Sequence, residues 1–230
     1  MIQGYEAGLL MKVIIFLGPP GVGKGTQCSL LSTRLGVKHI STGAIIRQEI
    51  ASESALGLRV KSIVEAGHLV DDKSIFECLE SALSSMNFQN NDLILLDGIP
   101  RNLSQAKEFE VLIGKFSSKV DLVISLSADL NKLLERFERR WTCSACGKIE
   151  SIAPHTDMSH YACRSCEKTG TMFRRKDDEP ETVKRRFAVY QQETLPLVSY
   201  YADKNNLSII DGLRQPEIVY AEIVSILLRK

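Results

Sequence analysis

The stretch KVIIFLGPPGVGKGTQ, residues 12–27, decides the fold of this 230-residue chain. Its apolar part, residues 13–17, is short and partly β-branched, which is typical of a strand buried on both faces. Four glycines and two prolines within residues 17–27 end that strand, and a helical pattern follows from Lys24 to Gly36. A buried strand, a glycine-rich loop and a helix in this order predict the first unit of a parallel sheet.

The glycine-rich loop predicts a phosphate-binding site. Gly18, Gly23 and Lys24 fit the pattern GxxxxGK between a strand and a helix. Glycines let successive backbone N–H groups turn toward an anion, and the next helix directs its positive end to the same point. Lys24 adds a full charge that can reach a β- or γ-phosphate. Gly25 stands where serine or threonine usually follows the lysine, and Thr26 comes next. A mere tight turn is the alternative, which the strict spacing disfavours.

Four more apolar segments alternate with amphipathic helices along the chain. They are KHISTG, NDLILLD, VDLVISLSAD and LSIIDG, beginning at residues 38, 91, 120 and 207. Strands that are apolar on both faces and alternate with helices predict an α/β fold, a parallel five-stranded sheet covered by helices, of the P-loop NTPase type. Residues 41–70 and 139–178 do not fit the alternation and are predicted to be two inserted subdomains. The predicted core comprises residues 1–40, 71–138 and 179–230.

One long helix is expected near the end of the chain. The segment EPETVKRRFAVYQQETLPLVSYYADKN, residues 179–205, has a helical pattern throughout. Because a proline inside a helix kinks or breaks it, we predict a bend at Pro196.

Composition and charge limit the function classes. Hydrophobic residues make up 44% of the chain and charged residues 25%, as in ordinary globular proteins. The net charge of +1 gives no bulk attraction to nucleic acid or to an anionic membrane. No apolar run approaches the roughly 20 residues that span a bilayer, and the first twelve residues lack the basic start and long apolar centre of a secretory signal. We therefore expect a cytoplasmic protein without nucleic-acid or membrane partners.

Asp97 ends the apolar segment NDLILLD. An acidic residue at the end of a strand, close to a phosphate loop, is expected to face magnesium bound to a nucleotide. A capping or turn role is the alternative for an aspartate in this position.

Two CxxC pairs predict a structural zinc site. CSAC contains Cys143 and Cys146, and CRSC, after a gap of sixteen residues, contains Cys163 and Cys166. Four thiolates complete a tetrahedral shell and leave no open position for a substrate. The competing interpretations are disulfides, which a cytosolic protein disfavours, and a histidine between the pairs that replaces one cysteine. Because this segment has few apolar side chains, metal binding would supply its folding energy.

Seven motifs give the chain a resemblance to an adenylate kinase of the bacterial type with a long zinc-binding lid. In order they are GPPGVGKGTQ, ISTGAIIR, VEAGHLVDD, LLDGIPRNLSQ, RFERR, RRKDDEPETVKRRF and LPLVSYY. The resemblance covers the chain from Met11 to its end. It implies reversible phosphoryl transfer from Mg-ATP to AMP, giving two ADP, by a monomeric enzyme. Residues 41–70 would be an AMP-binding insertion and residues 139–178 the lid.

The resemblance also implies a role for each matching residue. ATP would bind through Gly21, Val22, Gly23, Lys24, Gly25, Thr26, Arg140 and Arg214. AMP would bind through Thr42, Arg47, Val70, Gly98, Arg101, Gln105, Arg175 and Arg186. The catalytic residues would be Lys24, Arg101, Arg140, Arg175 and Arg186. Gln105 would read the adenine edge, and Asp97 would hold magnesium through water. Asp177 and Asp178 would help to order the closed lid.

The arginines suit this reaction for a physical reason. The accepting phosphate is already an anion, so no general base is required, and the barrier is charge repulsion and alignment. Planar, permanently charged guanidinium groups orient phosphates better than ammonium groups do. One arginine alone is best interpreted as a solvated surface charge, and without the resemblance Arg214 is interpreted that way.

Three other functions compete with this one. The nearest is a UMP or CMP kinase, whose pattern resembles PRNxxN where this chain has PRNLSQ. A zinc-ribbon module that binds nucleic acid or protein is disfavoured by the net charge. A P-loop hydrolase or switch protein does not need arginines for a second phosphate-bearing ligand. Ala44 and Ile99 depart from the adenylate kinase pattern, where aspartate and an aromatic residue are usual, and they put affinity and turnover in question more than reaction type.

Overall fold

The computed structural model describes residues 11–89 and 92–229. Residues 1–10, the first ten residues of the predicted core, lie outside the described residues. The prediction that residues 1–12 are not a secretory signal therefore falls mostly on residues that the structure does not describe. Strands and helices are numbered along the chain.

A five-stranded parallel sheet forms the centre of the protein, which confirms the predicted fold class. Its strands are β1 (Lys12–Leu17), β2 (Lys38–Ser41), β3 (Leu93–Asp97), β4 (Lys119–Ser127) and β8 (Leu207–Asp211). Their spatial order is β2-β3-β1-β4-β8, so β1 lies in the middle. Phe16 of β1 is opposite Asp97 of β3. The carboxyl ends of these strands form the edge at which open α/β sheets bind their ligands.

Helices pack around this sheet. They are α1 (Lys24–Leu35), α4 (Asp72–Ser85), α5 (Leu103–Gly114), α6 (Leu130–Glu138), α7 (Pro180–Val189), α8 (Pro196–Ala202) and α9 (Pro216–Leu227). Two apolar clusters are buried beneath them. One contains Val13, Ile15 and Leu17, and the other contains Ile14 and Phe16. Because alternate strand residues point to opposite faces, β1 is buried on both sides, as its sequence predicts.

The first departure from the core alternation, residues 41–70, contains two helices, α2 (Thr42–Ala51) and α3 (Ala55–Glu65). The hydroxyls of Ser41 and Ser54 cap their N-termini by accepting backbone N–H bonds. A Cβ on Gly57 would lie 2.0 Å from the carbonyl oxygen of Glu49. The two helices therefore approach so closely at this point that a side chain at position 57 would clash with the backbone of α2.

The second departure, residues 139–178, contains a small antiparallel sheet. Its strands are β5 (Arg140–Cys143), β6 (Ile149–Ser151) and β7 (Met172–Phe173), in the spatial order β6-β5-β7. Lys148 donates from Nζ to Ser29 Oγ of α1 at 3.1 Å, and Lys176 pairs with Glu65 of α3 at 3.2 Å. This segment therefore contacts both the core and the helical pair α2–α3.

The long helix predicted over residues 179–205 is divided. A π-helical segment, Tyr190–Thr194, separates α7 from α8, which begins at Pro196. Proline has no N–H, and its ring clashes with the carbonyl of the preceding turn. The turn before it widens, and Leu195 donates from its backbone N to Tyr190 O at 2.8 Å. In place of the expected bend at Pro196, the α-helix is interrupted by the π-helical segment that comes just before the proline.

Candidate active site

The glycine-rich loop turns between β1 and α1. Gly18, Gly21 and Gly23 have φ angles of 138°, 79° and 112°, which residues with a side chain rarely adopt. Lys24, the first residue of α1, folds back over the loop. Its Nζ donates to the carbonyl oxygens of Gly18 at 2.7 Å and Pro19 at 3.0 Å. The loop therefore surrounds the Lys24 ammonium group, which is the group that would bind an anion.

Lys24 carries its charge in an unfavourable environment. Burial lowers its pKa to about 8; Asp97 acts in the opposite direction, and Arg101 and Arg186 lower the pKa further. Asp97 ends β3 beside the loop, and a Cβ on Gly25 would lie 3.5 Å from Asp97 Oδ2. The carboxylate therefore faces the first turn of α1.

A second set of polar side chains, those of Thr42, Arg47 and Arg101, lies where α2 meets the loop after β3. A Cβ on Gly98 would lie 2.6 Å from Thr42 Oγ1 and 3.3 Å from Arg101 Nη2. A Cβ on Gly43 would lie 3.3 Å from Arg47 Nη1 and 3.8 Å from Arg101 Nη2. The Thr42 hydroxyl is fully buried and has no hydrogen-bond partner among the described residues. Two guanidinium groups and one unpaired hydroxyl are therefore grouped around this loop.

Three more arginines lie at the two ends of residues 139–178 and on α7. Arg140 Nε is 3.3 Å from Asp178 Oδ2. Arg186 Nη1 is 2.9 Å from Asp177 Oδ2 and 3.7 Å from Asp178 Oδ1. Arg175 donates from Nε to a threonine hydroxyl of β5 at 2.9 Å. The two aspartates therefore connect arginines that come from separate elements.

The arginines of these two groups repel one another. Burial lowers the pKa of Arg140 and of Arg175, each to about 10, and it lowers the pKa of Arg47 and Arg101. The charge of Arg186 lowers the pKa of all four. Cations held together at such a cost are typical of a site built for an anionic ligand.

The side-chain amide of Gln105 is held at both ends. Its Oε1 accepts from the backbone N of Arg101 at 2.8 Å, and its Nε2 donates to Asp72 Oδ1 at 2.7 Å. Because a carboxylate only accepts and a backbone N–H only donates, the amide cannot turn over. Gln105 is buried, and so is Val70.

The four cysteines of the CxxC pairs form one cluster, with all four sulfur atoms within 4.8 Å of one another. The Sγ atoms of Cys143 and Cys166 are 3.7 Å apart, and those of Cys146 and Cys163 are 3.6 Å apart. Tetrahedral zinc with Zn–S bonds of about 2.3 Å requires sulfur separations of about 3.8 Å. The cysteines are free, which disfavours the disulfide interpretation, and their separations fit a zinc ion.

Comparison with known proteins identifies the family. The family model for adenylate kinase matches residues 16–206. The chain is 37% identical to an adenylate kinase of Clostridium tetani (strain Massachusetts / E88) over 93% of this chain and 97% of that protein. It is 36% identical to an adenylate kinase of Kosmotoga olearia, over 91% and 96%, and 35% identical to one of Archaeoglobus fulgidus, over 93% and 97%. The chain belongs to the adenylate kinase family.

Family membership makes the chain a nucleoside monophosphate kinase, which is a phosphotransferase. The helices among its described residues are too short or too polar to span a bilayer.

One residue expected to bind ATP is held in an ion pair, and one residue that was not expected contacts the phosphate loop. Arg214 forms an ion pair with Glu222 of α9. Arg136, which the sequence analysis does not single out, donates from Nη1 to the carbonyl oxygens of Val22 at 3.1 Å and Gly212 at 2.8 Å. Its place in RFERR, the motif that also contains Arg140, is the sequence signal that could have identified it.

Proposed function

We propose that the chain transfers the γ-phosphoryl group of Mg-ATP reversibly to AMP, giving two ADP, and so maintains the adenine nucleotide balance. The observation that carries this proposal is the grouping of Lys24 with mutually repelling arginines from separate parts of the chain. Two nucleotides bound together bring the phosphate charge that offsets this repulsion.

On the ATP side, the backbone N–H groups of the loop and Lys24 bind the phosphates. The contributing loop residues are Gly21, Val22, Gly23, Gly25 and Thr26. The Asp97 carboxylate suits Mg²⁺, which prefers oxygen ligands and usually keeps several waters, so we assign it an indirect contact through water. Bound together with ATP, the ion would offset part of the negative charge of the phosphates.

On the AMP side, Arg47 and Arg101 bind the phosphate as a pair of planar donors. The unpaired hydroxyl of Thr42 is available to the base. Gln105 keeps one N–H and one oxygen lone pair, which match the N1 acceptor and N6 amino donor of adenine. Gly98 and Val70 complete the wall of this subsite.

The remaining arginines act on the transferred group. Arg140 binds the phosphates of ATP, while Arg175 and Arg186 bracket the phosphoryl group and AMP. We infer that residues 139–178 form a lid and residues 41–70 an AMP-binding insertion on a core made of residues 1–40, 71–138 and 179–230. Closure of the lid over the bound nucleotides would exclude water, which would otherwise accept the phosphoryl group. No general base is needed because the acceptor is already anionic.

The cysteine cluster acts structurally in this proposal. Cys143, Cys146, Cys163 and Cys166 would hold Zn²⁺, which contributes folding energy to a segment with a small core. A closed shell of four thiolates leaves no position for a substrate. We also infer a monomeric, cytoplasmic enzyme, and a contact of Arg214 with ATP through release of its ion pair with Glu222.

A coupled assay of ADP formation from ATP with AMP, CMP, UMP and GMP in turn tests the proposal. AMP is expected to be the preferred acceptor. Arg101→Ala should raise the KM for AMP at least ten-fold and change the KM for ATP little, while Arg59→Ala, an exposed arginine on α3, should change neither. Faster turnover of CMP than of AMP, or an unchanged AMP dependence in the Arg101 variant, would contradict it.

A further inference from the structure

Phe137 touches three parts of the active site. It lies in the last turn of α6 and is 2% exposed. A Cβ on Gly21 would lie 2.4 Å from Phe137 Cε2, so the edge of the ring packs directly against the phosphate loop. The guanidinium carbon of Arg140 is 5.0 Å from the ring centroid, and that of Arg186 is 5.9 Å from it. One aromatic side chain therefore contacts the loop and both arginines.

An aromatic ring differs from a carboxylate as a partner for these arginines. Asp177 and Asp178 also hold them, but a carboxylate offsets the positive charge that a phosphate needs. A ring attracts the cation through its quadrupole and leaves the net charge unchanged. It can therefore keep both guanidinium groups in place without competing with the phosphates of a nucleotide.

We propose that Phe137 is a positioning residue for phosphoryl transfer. It holds Arg140 and Arg186 at a fixed place relative to the phosphate loop before the nucleotides bind. The proposal rests on the phosphate-binding roles assigned above to these two arginines. Pre-positioned charge accelerates the chemical step because no reorganisation is required during the reaction, so loss of the ring should affect kcat more than KM.

Phe137→Leu removes the ring and keeps an apolar, branched side chain. Phe109→Leu in α5 is the matched control, because Phe109 is 1% exposed and no arginine or lysine lies over its ring in the part of the chain that the structure describes. At a temperature well below both melting transitions, we expect kcat to fall about ten-fold in Phe137→Leu, a loss typical of two cation–ring contacts. The control should keep kcat within about two-fold. Equal losses of kcat in the two variants would overturn the proposal.

A double-mutant cycle separates positioning from general packing. Arg140→Gln removes the cation closest to the ring. If Phe137 acts through this arginine, Phe137→Leu should cost about three-fold or less in kcat in the Arg140→Gln background. An undiminished ten-fold loss would show that the ring does not act through Arg140 and would refute the proposal. If Arg140→Gln alone leaves kcat unchanged, the phosphate-binding role assigned to Arg140 is wrong. This result is distinguishable from failure of the Phe137 proposal because it is measured in the Arg140 single variant.

Discussion

Replacing Lys24 with methionine should stabilise the nucleotide-free protein while reducing phosphoryl transfer by orders of magnitude. Burial lowers the pKa of Lys24 from its ordinary value of 10.5 to about 8. At pH 7, where the lysine is charged in both states, a difference of this size destabilises the folded state by about 3 kcal/mol. Part of the side chain still contacts solvent, which reduces this to about 2–3 kcal/mol.

The substitution also removes two hydrogen bonds. Methionine cannot donate to the carbonyl oxygens of Gly18 and Pro19, which accept from Lys24 at 2.7 and 3.0 Å. Each lost bond costs about 0.5–1 kcal/mol. The two lost bonds together cost about 1–2 kcal/mol, so the net gain in the free energy of unfolding is about 0–2 kcal/mol, or a rise in melting temperature of up to about 8 °C for a chain of this size.

The stabilisation should depend on pH with a definite sign. The folded-state pKa of about 8 lies below the unfolded-state value near 10.5, so the unfolded chain binds more protons between these values. Below pH 8 both states carry the charge and the full cost is present. As the pH rises from 8 to 10.5 the folded state deprotonates first, and wild-type stability rises relative to the variant. The advantage of Lys24→Met should therefore be present at pH 7 and lost by about pH 10.

Thermal unfolding of the nucleotide-free protein at pH 7 and pH 10 measures this difference. Lys107→Met is the matched control, because Lys107 is exposed on α5 and its replacement removes the same charge without relieving burial. A Lys24→Met melting temperature below that of Lys107→Met at pH 7 would refute the reasoning. A gap between wild type and variant that stays the same at pH 10 would also refute it.

Two further predictions concern the cysteine cluster and the base-reading amide. Chelation of zinc should lower the melting temperature by several degrees and added Zn²⁺ should restore it; an unchanged transition would mean that the four cysteines hold no metal. Asp72→Asn should loosen the Gln105 amide, because asparagine can donate as well as accept and leaves only the backbone N of Arg101 to fix its orientation. The preference for AMP over IMP, measured as the ratio of kcat/KM values, should fall by up to about ten-fold. A ratio equal to that of the wild type would show that Asp72 does not fix the amide.

The sequence by itself determined the local features of this protein. The apolar run before Gly18 predicts a strand buried on both faces, because its side chains leave no polar face, and the glycines and Lys24 predict the phosphate loop from spacing alone. The two CxxC pairs likewise predict a metal cluster, because each short motif supplies two thiolates and four thiolates fill the tetrahedral shell of a zinc ion. Each of these features depends on interactions within a few residues or on a fixed short motif.

Only the tertiary structure decided how distant residues meet. The strand order that puts β1 between β3 and β4, the position of Phe137 against Gly21, and the fixed amide of Gln105 all depend on contacts between segments far apart in sequence. Arg136 and Arg214 show the same limit. The sequence analysis does not single out Arg136, which ties the phosphate loop to the loop after β8, and Arg214 pairs with α9. A side chain's partners are set by packing across the whole chain, whereas its local conformation is set by its neighbours in sequence.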